Sequence, residues 1–335
     1  RHPRDPHLPA GETVMLAYIV RRTVYGFGVV LGVLLLLFAL FFLYADPSEM
    51  ALRAVGEKAP PEVLEQWIVN HGYDKPVIWN PAAPGDTLLV EHFRRMLTFD
   101  FGRSDADDSP IIDRIRAGMG PSLMLTVPIF VLGLALGIGL SLFVAYFRET
   151  YIDRTGVVLC VLGMSVSILL YIIGGQYVIG KVLRWFPISG FDLSPEVAAR
   201  FLALPVLVGL AEGLGGSVRF YRTVFIEETG RDYVRTARAK GCGDGRIMAR
   251  HVLHNAMIPI LTRVVVSIPF LFTGSLLLES FFGIPGLGSM MVDAIHGNDF
   301  STLRAMVYIG SLLFIAAQIA TDVAYTLVDP RVRFE

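Results

Sequence analysis

The chain has 335 residues, 53% of them hydrophobic and only 18% charged, with a mean hydropathy of +0.57. Soluble domains carry about 25% charged residues, so this chain is too apolar to cover its own surface with polar groups, which argues against a cytosolic enzyme. Its net charge of −1 gives no electrostatic reason to expect a nucleic-acid partner. Two cysteines, Cys160 and Cys242, are too few for a disulfide framework or a zinc site of their own.

A helix needs about 20 apolar residues to cross a ~30 Å hydrocarbon core. Three windows meet this with no charge: Val24–Tyr44, Leu123–Phe147 and Gly156–Gly180. Three more carry one charge in or near them: Phe201–Val218 with Glu212, Ala256–Glu279 with Arg263, and Met306–Val328 with Asp322. The expected fold is an all-α integral membrane protein with six spans. Residues 1–14, rich in Pro and His, read as a disordered extension or a truncated start, and 15–44 as the N-terminal segment with the first span. A signal peptide is not expected, because the first apolar stretch is long and no small-residue cleavage site follows it.

Residues 45–121 form a long connection that is too mixed for a disordered linker. Pro60-Pro61-Glu62 predicts a helix over Val63–Asn70, since Pro suits a first helical turn. Asp100-Phe101-Gly102-Arg103-Ser104 reads as a turn, and Asp113–Gly118 as the start of a helix that runs on into the second span. Residues 122–335 hold spans two to six. Arginine and lysine placement orients the chain. With six spans, both termini share a side with 148–155 and 219–255, and this set holds 16 of the 29 basic residues. Segment 45–121 has 13 acidic and 8 basic residues. Both termini are therefore expected in the cytoplasm and 45–121 outside.

The most informative stretch is Tyr221–Pro259. A helix around and after Tyr233 should stop at Gly241 in a left-handed cap. Cys242-Gly243-Asp244-Gly245 is a turn, with Asp244 as the expected N-cap of a second helix through His254. Ordinary positive-inside charge explains the arginines. It does not explain small residues such as Thr236, Ala237, Ala239 and Gly241 on a surface helix, which allow another surface to approach closely.

This stretch resembles the EAA loop of ABC-importer permeases, and more narrowly the dipeptide/oligopeptide/nickel group. The similarity runs through Asp232-Tyr233-Val234-Arg235-Thr236-Ala237-Arg238-Ala239-Lys240-Gly241 and Arg250-His251-Val252-Leu253-His254-Asn255-Ala256-Met257-Ile258-Pro259. Arg235-Thr236-Ala237 stand where the name-giving Glu-Ala-Ala lies in other importers, a departure this subgroup shares, and Gly241 matches the motif's glycine. Similarity extends from Met15 through nearly the whole chain: Tyr18-Ile19-Val20-Arg21-Arg22, Phe99-Asp100-Phe101-Gly102-Arg103-Ser104, Phe282-Gly283-Ile284-Pro285-Gly286-Leu287-Gly288, and Asp322 with Thr326-Leu327-Val328-Asp329-Pro330-Arg331. The ending, with Phe334-Glu335, is similar to the branch handling microcin C and oligopeptides.

The resemblance implies a permease subunit of a binding-protein-dependent ABC importer in a bacterial inner membrane, forming half of a path for peptides. It implies as partners a second homologous permease, two ATPase subunits that hold ATP and Mg, and an outer or lipid-anchored substrate-binding protein. It makes 219–255 a coupling loop, with Tyr233, Val234, Arg235, Thr236, Ala237, Arg238, Ala239, Lys240, Gly241 and Asp244 as the ATPase-coupling residues. Nickel complexes and oligosaccharides remain open as substrates, and a stand-alone secondary transporter or channel is the alternative function.

Arg263, Glu279 and Asp322 are candidates for the substrate path, because charges inside spans are costly and tend to be paired or functional. Arg263 and Asp322 lie at comparable depth and either pair or act separately, Arg263 snorkelling and Asp322 capping. Glu279 near the outer mouth either meets a peptide amino group or is simply solvated. Gly133/Gly137 and Gly209/Gly213 have the spacing of close helix contacts, most readily within the chain. Gly175–Val182 imitates a phosphate-binding loop but has Val182 where a hydroxyl is needed and no strand before it. The chain thus has no nucleotide-binding motif and is not expected to be an enzyme or to hold a cofactor. His251 and His254 have no plainly placed third ligand for a metal.

Overall fold

The computed structural model describes residues 11–328 apart from 44–46, 57–58, 71, 82, 84 and 193, and leaves the side chains of 11–20, 53–54, 195–196 and 322–328 undescribed. Most of the proline-rich extension and the Asp329-Pro330-Arg331 ending thus lie outside the described residues. Among the described residues the secondary structure is helical, with one isolated bridge between Arg103 and Pro110. Lipid cannot hydrogen-bond a backbone, so helices, which satisfy themselves, are what an apolar chain of this kind must form. Among the described residues five helices are long and apolar enough to cross a membrane, and a helix pair bent by 91° brings the number to six where it counts as one broken span. The chain is an all-α integral membrane protein.

Contacts divide the chain into two compact units, 1–116 with 291–335, and 117–290. In the first, α1 (Gly11–Phe38) ends in a wider helical turn, Ala39–Leu43, and packs along α15 (Phe300–Val328). A Cβ at Gly26 would sit 3.1 Å from Ile315, so the glycine sets how closely the two helices approach. Three short helices follow: α2 (Pro47–Val55), α3 (Pro61–Asn70) and α4 (Leu88–Leu97). The predicted Val63–Asn70 helix is therefore present, opening two residues earlier. Thr87 starts α4 by accepting the Val90 N–H.

Helix α5 (Ile111–Tyr146) begins in the first unit and continues through the second; its 36 residues span about 54 Å. It begins where Asp113–Gly118 was expected to lead into a span. In the second unit, α6 (Tyr151–Ser165) and α7 (Ile168–Gly175, widening over Gln176–Val182) form the bent pair. The window Gly156–Gly180 is thus broken at Val166, whose backbone is extended, while Ser167 caps α7 by accepting the Leu169 N–H. The run Gly175–Val182 is helical throughout, not a loop wrapped around a phosphate.

Helix α8 (Pro195–Thr229) is 35 residues long, far beyond the 201–218 window, and Glu212 is exposed on it. Its glycines admit neighbours from the same chain. A Cβ at Gly209 would fall 2.7 Å from Ile129, at Gly215 2.9 Å from the Cys160 carbonyl, and at Gly137 of α5 3.1 Å from Ser217. One glycine of each pair, Gly137 and Gly209, therefore serves close packing inside the chain, while a Cβ at Gly213 would meet nothing within 4 Å. Asp153 of α6 is tied to α8 by Arg222, whose Nε and Nη2 donate to its two oxygens at 2.6 and 2.8 Å. The fifth span is α12 (Met257–Thr273) and α13 (Leu276–Phe282), separated by Gly274 and Ser275. Gly274 has φ +74, a left-handed value that favours glycine.

Candidate functional site

Between α8 and α12 lie α9 (Asp232–Ala239), α10 (Asp244–Arg246), wider turns over Ile247–Val252 and α11 (Leu253–Asn255). Asp232 places a negative charge in the first turn of α9, where the helix dipole favours it. The other end closes as the sequence predicts. Gly241 has φ +81, its N–H bonds the Arg238 carbonyl at 3.0 Å, and the Cys242 N–H bonds the Ala237 carbonyl at 3.1 Å. This is the paired bonding of a Schellman cap.

The residues of α9 sort by face. Val234 and Ala237 are buried in one apolar cluster with Tyr221, Phe225, Ile247, Met248 and Val252. Arg235, Thr236, Arg238, Ala239, Lys240, Gly241 and Asp244 are exposed, and Tyr233 is half-buried. Ala237 was expected to make room for another surface; its methyl group instead packs into this chain's own cluster, because positions 234 and 237 fall on the same side of a helix. Tyr233 donates to Glu228 Oε2 at 2.7 Å, and burial followed by that carboxylate pushes its phenol up to about 12.

Asp244 differs from its expected role. Gly243 occupies the N-cap position, and the Asp244 carboxylate turns back to accept from Arg238 Nη2 at 2.8 Å and Nε at 3.2 Å. The guanidinium opposite it across the glycine turn is a stronger donor than the α10 backbone.

The three charges expected along the path separate. Arg263 is half-buried with its guanidinium 4.6 Å from the Phe220 ring and 5.9 Å from the Tyr221 ring, a cation–π arrangement. It lines a small cavity of about 160 Å³ with Gly133, Gly209, Gly213 and Ser217. The Asp322 side chain lies outside the described residues, and with it the proposed pairing. Glu279 is neither solvated nor open to a ligand: it is fully buried. Its Oε1 accepts from the Ser122 hydroxyl at 2.8 Å and the Ser275 N–H at 3.0 Å. Its Oε2 accepts from the Gly288 and Ser289 N–H groups at 2.7 and 3.1 Å. The carboxylate thus gathers the α12–α13 break, α5 and the start of α14 (Leu287–His296). Gly274 and Gly286 are glycines because a Cβ at either would collide with its oxygens.

Two clusters in the first unit carry chemistry that residue spacing did not reveal. Asp299, just before α15, is almost fully buried. It accepts from the Ser104 hydroxyl at 2.5 Å, the Thr302 hydroxyl at 2.6 Å, the Thr302 and Asp105 N–H groups at 3.0 and 3.1 Å, and Arg114 Nη1 at 3.2 Å. Ser104 ends the Phe99–Ser104 signature, so this bond gives that signature a structural meaning. Nearby, a cavity of about 970 Å³ is lined by parts of α3, α4 and the 100–108 loop together with Ser301 and Arg304. His92 of α4, with Phe38 tilted and Phe42 edge-on against its ring, reaches the Leu34 carbonyl at 3.2 Å. Burial, then the neighbouring Arg304 charge, lowers its pKa to about 4. The sequence signals for both clusters were single polar residues, with partners up to 231 positions away.

The sequence matches two families over most of its length. Residues 122–334 match the family described as binding-protein-dependent transport system inner membrane component, and residues 15–83 its N-terminal counterpart. A protein of Brucella melitensis biotype 1, named as a peptide transport system permease protein, is 30% identical over 325 residues, covering 96% of this chain and all of the relative. A Brucella abortus protein of the same designation is 30% identical over 324 residues with the same coverage. The glutathione transport system permease protein GsiC of Salmonella typhi is 29% identical over 321 residues, again covering 96% of this chain and all of the relative.

Proposed function

Because the chain belongs to the family of binding-protein-dependent transport system inner membrane components, and is thereby a permease subunit of an ABC transport system, we propose that it is an importer subunit whose cargo is short peptides. The names of the relatives, peptide and glutathione transport permeases, support that cargo. It forms half of the path beside a second homologous permease; two ATPase subunits supply ATP and Mg, and an outer binding protein delivers substrate. Both termini and 219–255 lie in the cytoplasm, and 45–121 lies outside, where the acidic excess fits the positive-inside rule.

The observation that carries the coupling assignment is the sorting of α9 into two faces. Val234 and Ala237 anchor the helix to its own chain, while Asp232, Arg235, Thr236, Ala239 and Lys240 stand free with small residues among the charges. A helix held on one side and bare on the other transmits a push from an ATPase to the bundle beneath it. Alternating access then follows from a shift between two arrangements of the spans, driven by whichever state the closed ATPase pair binds better.

The test is purification of the permease with its ATPases. Ala239→Trp, on the bare face, is expected to leave the permease folded yet separate it from the ATPases and abolish peptide-stimulated ATP hydrolysis. An Ala239→Trp protein that keeps its ATPases and hydrolyses ATP normally would overturn the assignment.

A further inference from the structure

The 970 Å³ cavity of the first unit is at the upper end of the size of small-molecule sites, about 300–1,000 Å³. Its walls mix aromatic rings, among them Trp67, Tyr73 and Phe101, with charged groups. Most of those charges are already matched. Glu91 holds Lys75 at 2.8 Å and Arg95 by an ion pair, Arg103 holds Asp108 at 3.0 Å, and Asp107 faces Arg114 at 3.6 Å.

Two charges are not. Arg304 is 8% exposed and has no carboxylate within ion-pair distance among the described residues. Its Nη2 donates to the Ser301 hydroxyl at 2.8 Å and to the Tyr73 hydroxyl at 3.2 Å, and Phe42 lies under its guanidinium at 4.6 Å. Nη1 donates to no described group, and Nε is the single buried side-chain polar atom without a partner among the described residues. A guanidinium brings five donors, and leaving them idle in a buried place is costly. Asp100, lining the same cavity, accepts the Gly102 N–H at 3.3 Å and, among the described residues, has no cation within ion-pair distance. The neutral state of His92, pressed by the Arg304 charge, leaves that charge without help from a second cation.

A cavity with a guanidinium that has donors to spare, a carboxylate without a counter-charge among the described residues, and aromatic walls matches a zwitterion with apolar side chains. We propose that this cavity binds a short peptide, with Arg304 receiving its C-terminal carboxylate and Asp100 its terminal ammonium. The permease would then hold cargo itself, beside the ends of the first and last spans, between release by the binding protein and entry into the path. This rests on the peptide-importer reading above and adds a site that reading does not require.

The experiment uses the complete permease–ATPase complex without its binding protein. Trialanine is titrated in, and binding is followed by calorimetry and by the fluorescence of Trp67, isolated by replacing Trp79 and Trp185 with Phe. Trialanine is expected to bind, its C-terminal amide about tenfold or more weakly, and N-acetyl-trialanine with a comparable loss, as befits hydrogen bonds to charged groups. Arg304→Gln should lower trialanine affinity to that of the amide and add no further loss for the amide, since both remove the same contact. The amide comparison on the unaltered chain stands even where Arg304→Gln fails to fold. Absence of trialanine binding, or equal binding of acid and amide, would overturn the proposal. So would an Arg304→Gln protein that folds and binds trialanine as tightly as the unaltered chain. Uptake of a panel of di- to pentapeptides by cells carrying the whole system separates the two readings: uptake without binding to the isolated complex sinks the site alone, and no uptake of any peptide sinks the importer reading.

Discussion

Asp299 and Glu279 are two buried carboxylates held by opposite means. Asp299 has a guanidinium, two hydroxyls and two backbone N–H groups around it. Glu279 has no cation within ion-pair distance among the described residues; three backbone N–H groups and one hydroxyl share its two oxygens evenly. Both solutions satisfy the rule that a buried polar group must be paired, but they differ in what they tolerate. A hydroxyl can turn from donor to acceptor, whereas a backbone N–H cannot. The surroundings of Glu279 therefore demand an acceptor at both oxygens. Those of Asp299 leave one oxygen, facing Ser104, Thr302 and Arg114, where the Thr302 hydroxyl is free to turn while the Ser104 oxygen already accepts from Arg114 and the Ala106 N–H.

Amide substitution tests this contrast most sharply. In Glu279→Gln the new NH₂ group must face either Ser275 N–H with the Ser122 hydroxyl, or the Gly288 and Ser289 N–H pair. Ser122 has little freedom, since its oxygen also accepts the Leu287 N–H at 2.7 Å. Unsatisfied buried donors cost about 1–3 kcal/mol each, so a loss of about 3–5 kcal/mol is expected, against a total stability of about 5–15. The thermal midpoint in detergent should fall steeply, and little protein should survive purification. In Asp299→Asn the amide can donate to the Thr302 oxygen, and Arg114 retains Ser104 at 2.9 Å and Asp107 at 3.6 Å. A loss of about 2 kcal/mol is expected, dominated by the weakened Arg114 contact. Equal losses in the two variants would break the comparison.

His92 extends it to a buried group beside a cation of the same sign as its own charged form. Its folded pKa, about 4, lies below the ordinary value of 6.5. As pH falls below 6.5 the unfolded chain takes up a proton that the folded chain refuses, so stability declines, and the decline levels off below about 4. Between pH 6.5 and 5 the loss should be about 1–2 kcal/mol. Thermal melts across that range should show the slope in the unaltered chain and a flatter line in His92→Gln; parallel lines would remove His92 as the cause.

How much of this the sequence disclosed depends on the range of each interaction. Helices that bury or lipid-expose apolar runs are read from local composition, so the windows at 24–44, 123–147 and 306–328 fall inside observed helices wherever these are described, apart from Phe147 just past the end of α5. The Gly241 cap was legible because a left-handed turn needs a glycine at one local position. The break at Val166 was not, because hydropathy is uniform from Gly156 to Gly180 and the only local mark is the pair Ser165 and Ser167. Glu279 was placed correctly at the end of a span, yet its solvation was misjudged. Its donors come from Ser122, 157 positions earlier, and from a glycine loop that only the fold brings back. Ala237 shows the same limit at short range: small size at a helix surface signals close approach, but not by whom.

Asp244 is the limiting case, a carboxylate with a cation and no burial. Arg238 and Asp244 are about 64% and 60% exposed, and the pair is held across a glycine turn at 2.8 Å. Exposed pairs contribute about 0–1 kcal/mol and are screened by salt. Asp244→Asn is therefore expected to lower stability by less than about 1 kcal/mol, with the difference vanishing in high salt. That is well below either buried site, although its contact distance falls within the range of theirs. Thermal melts at low and high ionic strength would decide it, and a salt-insensitive loss comparable to Asp299→Asn would show that the turn itself depends on this carboxylate. If stability holds while peptide-stimulated ATP hydrolysis falls, the cause lies on the bare side of α9, since the substitution frees Arg238 at a surface proposed to meet another chain. Burial, more than the presence of a partner charge, then separates the carboxylates that hold this fold from those left available for contact.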